Sequence, residues 1–85
     1  MSIEFTNDQA IFREVASVEE AESLLEWLQK TPDARIDLAA CAHLHTANLQ
    51  VLMAARSEIA SWPENTELRA WLEPILKAVS GAEWH

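Results

Sequence analysis

The sequence is poor in the residues from which most small-protein chemistry is built. It has one cysteine, so no intrachain disulfide can form. It has one glycine in 85 residues, which rules out a glycine-rich phosphate cradle and leaves little room for backbone to approach a substrate closely. Basic side chains are scarce: six Lys and Arg stand against 14 Asp and Glu, a net charge of −8. That field repels nucleic-acid phosphates and anionic lipid, and it favours a basic or mixed-charge protein surface. No apolar run approaches the roughly 18 residues of a membrane span, and the N-terminal MSIEFTNDQAIFREV lacks the basic start of a secretion signal. The expectation is one cytoplasmic domain over 1–85, without membrane insertion or nucleic-acid partner.

What is there is a packed core. The apolar fraction is 49%, enough for a helix-rich globule and too high for a disordered segment. Ile3 and Phe5 alternate with polar neighbours, Thr6-Asn7-Asp8-Gln9 has turn chemistry, and Ala10 to Val15 returns as the second strand of a hairpin. Ser17-Val18-Glu19-Glu20 reads as a capping box opening a helix, whose apolar stripe is Val18, Ala21, Leu24, Leu25 and Leu28, with Trp27 at its edge. Glu19, Glu22 and Glu26 lie on its solvated side, Glu26 within i,i+4 reach of Lys30, and Thr31-Pro32-Asp33 ends it.

The stretch Arg35 to Arg56 organises the rest. Arg35-Ile36-Asp37-Leu38 alternates as a strand does, Ala39 to Ala42 continues it, and from Leu49 the period becomes helical through Leu52 and Met53, widened by Val51. Thr46 is placed as N-cap of that helix, its hydroxyl accepting from a first-turn N–H. In Ser57 to Glu64 no strand is read. A last helix runs to about Val79 on the stripe Leu68, Trp71, Leu72, Ile75, Leu76 and Val79, with Pro74 predicting a kink near Ala70–Trp71 and Gly81 a C-cap before an Ala82–His85 tail. The helix between hairpin and central strand is long enough for a crossover, so those strands should pair in parallel. The fold class is α/β: a small mixed sheet, an N-terminal hairpin plus one parallel strand, covered by three helices.

Candidate chemistry is thin. Cys41, His43 and His45 would converge if the strand persists, since alternate strand residues share a face. Three ligands within five residues, with only His85 elsewhere, are nevertheless unlike the paired spacings of structural zinc, and a buried cysteine with two hydrogen-bonded histidines is the plainer reading. A Cys–His pair has no accompanying Asp ordering or inward carboxylates, so no enzyme, metal or other cofactor is expected. Trp27 and Trp71 read as core fillers, and Trp62 or Trp84 as an anchor for a partner. Thr46 beside a helix N-terminus is a candidate phosphoacceptor, because the helix dipole favours an added phosphate there.

With these elements in place, the chain resembles the STAS domains, the anti-sigma-factor-antagonist family. Ile36-Asp37-Leu38 followed by Leu44 to Leu52 looks like the family's strand and its Asp-Ser-Ser-Gly-Leu or Asp-Thr-Ala-Gly-Leu helix start, and Leu68 to Leu72 is similar to its closing segment. His45 stands where the family has Asp, Asn48 where it has Gly, and Ala47 at the phosphorylated serine, while Thr46 matches the first position of the pair. The resemblance implies a non-enzymatic regulatory module whose docking surface is His45, Thr46, Ala47, Asn48 and Gln50. The partner it implies is an anti-sigma or histidine-kinase-like protein, or a transporter ATPase subunit. It also implies a strand after the central helix, which the sequence does not show, so a shortened version is expected. The alternatives are a self-associating homodimer through Leu68–Val79, with Trp71 or Trp84 at the contact, and the small metal site at Cys41, His43 and His45.

Overall fold

A computed structural model describes residues 2–79. The Gly81 cap, the 82–85 tail, Trp84 and His85 lie outside these residues. Seven elements follow in the order β1 (Ile3–Phe5), β2 (Gln9–Ala16), α1 (Glu20–Lys30), β3 (Arg35–Leu44), α2 (Thr46–Ala55), β4 (Glu58–Ser61) and α3 (Thr66–Val79). The sheet order is β1-β2-β3-β4, antiparallel at the hairpin and parallel thereafter. The mixed α/β sheet with three helices is thus the one expected, with one addition. Glu58-Ile59-Ala60-Ser61, read from sequence as strandless, is an edge strand pairing with β3 at Arg35↔Glu58, Ile36↔Ile59 and Asp37↔Ser61.

Direct partners in neighbouring strands share a face. Ile3 pairs with Phe12, Phe5 with Ala10, Ala10 with Ile36 and Ile36 with Ile59, and these form the face beneath the helices. Leu24 and Leu28 of α1, Leu49 and Leu52 of α2, and Leu68, Leu72 and Leu76 of α3 close one core over it. The ring of Phe5 lies 5.2 Å from that of Trp27, so this tryptophan packs against the core from its edge as expected. Other stripe residues depart from expectation. Val18 and Leu25 stand outside at 54% and 40% exposure, and Trp71, placed in the core from sequence, is 39% exposed. Leu72 takes the buried position beside it, and α3 continues through Pro74 to Val79. The Glu26–Lys30 pair is not among the ion pairs of the described residues, which join Arg13 to Glu4, Arg35 to Glu58, and Glu73 to both Arg69 and Lys77.

Glu20 does more than the capping box asks. Its carboxylate accepts from the Ser17 N–H at 2.9 Å, which is the glutamate half of that box, although the helix proper starts at Glu20 with Glu19 as cap. It also accepts from the Ser2 N–H at 2.6 Å, the Ser2 hydroxyl at 2.6 Å and the Ile3 N–H at 3.2 Å. One buried acid therefore fastens the start of β1 to the start of α1. Burial pushes its carboxyl up, but the Ser2 hydroxyl and the three backbone donors outweigh that and hold it below its ordinary value. A depressed acid stabilises the fold above its unfolded pKa, and the contribution fades as pH falls through the folded value. Glu20→Gln should cost about 2 kcal/mol at neutral pH. In thermal melts the gap between wild type and variant should hold down to about pH 5 and narrow as the pH falls below that.

Among the described residues no helix is long and apolar enough to cross a membrane.

Candidate functional site

Two register shifts decide which side chains meet at the end of the central strand. Between Ile11 and Arg13, and again between Glu14 and Val15, β3 carries one residue more than β2, and Glu14 sits at φ 55°. Bulges of this kind turn a strand's faces and re-aim its side chains. Cys41 consequently points into the core, while His43 pairs with Val15 and is exposed. His45 has left the strand altogether. The three metal-like residues therefore do not converge, and among the described residues no cluster of three His, Cys, Asp or Glu could hold a metal ion. The Cys41 thiol, in contact with the His43 carbonyl at 3.4 Å, is pushed up to about 11, chiefly by burial and further by the charge of Glu20. A thiol so raised stays protonated at neutral pH and is a poor nucleophile.

The helix cap differs from the expected one. His45, extended at φ −64° and ψ 144°, is the N-cap of α2, and its Nδ1 accepts the Ala47 N–H at 3.0 Å. Thr46 is the first helical residue, and it is exposed. An imidazole does the work usually done by a short oxygen side chain, which leaves the Thr46 hydroxyl uncommitted to capping.

Asn48 is the second correction. Read as a contact residue, it is fully buried, and its Nδ2 donates to the Ser17 carbonyl at 2.7 Å and the Ala16 carbonyl at 3.3 Å. The Ala16 carbonyl also accepts the His45 N–H at 3.0 Å. One carboxamide thus ties the end of β2 and the turn into α1 to the first turn of α2. Its Oδ1 is buried without a partner. The side chain serves the frame beneath the surface and not the surface itself.

What remains outside is His45, Thr46 and Gln50, with Ala47 half-buried between them. Two exposed apolar residues stand at the same end of the parallel strands: Val15, 52% exposed and paired with His43, and Val18, next to the Ser17 carbonyl that Asn48 holds. Sequence reading put Val18 in the helix stripe and Val15 in the hairpin. The only signal for either was a valine just before and just after the small residues Ala16 and Ser17. Trp62, expected as an anchor, is half-buried against the core with the Lys77 ammonium 5.8 Å above its ring. No family model matches this chain, and neither a curated protein nor a solved structure does.

Asn48→Ala removes both bonds and leaves a hole beneath the turn, so it is expected to lower stability by about 2 kcal/mol in urea unfolding. His45→Ala should cost about 1 kcal/mol and His45→Asn almost nothing, because asparagine restores a capping acceptor.

Proposed function

We propose that this chain is a non-enzymatic, STAS-like regulatory module of the cytoplasm that docks another protein through the strand-to-helix junction at 41–52. The observation that carries the reading is the presentation of His45, Thr46 and Gln50, exposed at the carboxyl ends of parallel strands on a base fixed by Asn48. In open α/β sheets ligands are met outside the carboxyl ends of the strands. Val15 and Val18 add apolar contact beside the polar group, the mixture that protein interfaces use. The motif pattern over Ile36 to Leu52 points to an anti-sigma or histidine-kinase-like protein, or a transporter ATPase subunit, as partner. The Thr46 hydroxyl is the group a kinase would modify, and a phosphate on the first residue of α2 would sit favourably at the helix N-terminus while changing the docking surface.

Glutamate at position 46 mimics that charge at a place where the helix tolerates it. Thr46→Glu should therefore leave the thermal melt within about 1 °C and cut capture of the partner from native lysate by about tenfold, read by quantitative mass spectrometry. Undiminished capture would place the surface elsewhere.

A second reading, self-association through α3, is favoured by one observation, the exposed Trp71 with Pro74 and Ala78 exposed on the same helix. On that reading sedimentation equilibrium gives a mass that rises with concentration, and Trp71→Glu returns it to that of a monomer. A wild-type mass constant at one chain would dismiss it.

A further inference from the structure

The helix that follows the junction is unusual for its chain. α2, Thr46-Ala-Asn-Leu-Gln-Val-Leu-Met-Ala-Ala55, has no charged side chain in ten positions, in a protein that is 24% charged. It is not a buried helix, since Thr46, Gln50, Ala54 and Ala55 are exposed and Ala47, Val51 and Met53 are half-buried. The absence of charge is a feature it shares with interface cores, in which charged residues are depleted. Ala47, Val51 and Ala54 recur at helical spacing on one side of α2, and Ala21 and Leu25 lie one turn apart on α1. Between the two helices is a shallow cavity of about 280 Å³ lined by Leu25, Leu28, Gln29, Ala54 and Ala55. Small residues on α2 keep this seam open, and Leu25, 40% exposed, forms its apolar wall.

We infer that the partner inserts an amphipathic helix with basic flanks along the α1–α2 seam, an inference that rests on the protein-docking reading above. The cavity lies at the carboxyl ends of the two helices, and by helical phase Ala21 on α1 and Ala47 and Val51 on α2 continue the seam towards their amino ends, the spacing that anchors at i, i+3, i+4 and i+7 require. The rim fixes the charge. Glu19, Glu22 and Glu26 stand exposed on the α1 side, and none of them is in an ion pair among the described residues. A basic flank would supply what these carboxylates face and would be drawn in by the net charge of −8. A second copy of this chain does not fit this seam, since an α1 from the copy would bring its own acidic row against the first.

The test is selection from a displayed library of helix-forming peptides on the full chain, followed by anisotropy titration of one selected peptide. Enriched peptides are expected to carry an apolar i, i+3, i+4, i+7 stripe and net positive charge. Leu25→Arg and Ala54→Arg, both at exposed positions, should each weaken binding at least about tenfold while circular dichroism stays that of wild type. Glu22→Lys with Glu26→Lys should weaken it about fivefold and flatten its salt dependence. Acidic or stripe-free winners, no enrichment, or binding unmoved by both arginine variants would overturn the seam. If the lysate partner is lost with Thr46→Glu yet kept with Leu25→Arg and Ala54→Arg, the seam fails and the junction reading stands. If the arginine variants lose the partner and Thr46→Glu keeps it, the seam stands and the junction reading fails.

Discussion

The side chain of Asn48 is the interaction on which the rest of the structure depends. Its two donated hydrogen bonds fix the first turn of α2 to the carbonyls that close β2 and open the turn to α1. Two chain segments far apart in sequence meet there, since Ala16 and Ser17 precede Asn48 by 32 and 31 positions. Glycine at this position would have given a close turn and no clamp. With asparagine the turn is held from within, and Thr46 and Gln50, two residues to either side of it, face outward.

That clamp explains a division of labour along a very short stretch. Cys41, Leu44, Asn48 and Leu49 are buried, and His43, His45, Thr46 and Gln50 are exposed. A regular strand would have put Cys41, His43 and His45 on one face. The bulges between β2 and β3 break that phase, so the stretch yields a surface instead of a ligand set. At the same end of β2, Glu20 does for β1 what Asn48 does for α2, holding the first strand through its backbone N–H groups. Both devices spend a buried polar group, and in both the group is largely satisfied by main chain.

Much of the architecture was legible because it rests on period and punctuation. The alternation in Ile3–Phe5 and Arg35–Leu38, the Ser17–Glu20 box and the Thr31-Pro32-Asp33 stop placed the hairpin, α1 and β3, and the length of α1 implied parallel pairing. β4 was not legible: four residues with a single strong strand former give no pattern, and the edge position is set by pairing with β3. Trp71 was misplaced because a helical stripe of six apolar positions is wider than the face α3 buries, and Leu68, Leu72 and Leu76 take that face. At the site, the junction itself was legible, but its roles were not. Histidine is not a preferred N-cap, so Thr46 was given the role of His45, and nothing local in the sequence distinguishes a contact asparagine from one whose carbonyl partners lie more than thirty residues away.

We propose that partner contact falls on the strand-to-helix junction and the seam beside it, and not on the sheet edge or the last helix. Amide hydrogen exchange on the complex formed with the captured partner measures this most directly. Slowed exchange is expected in residues 43–51 and along the α1–α2 seam at 21–29 and 51–55, with β4 and α3 exchanging as in the free chain. Protection confined to Glu58–Ser61 or Thr66–Val79, with the junction unchanged, would contradict it.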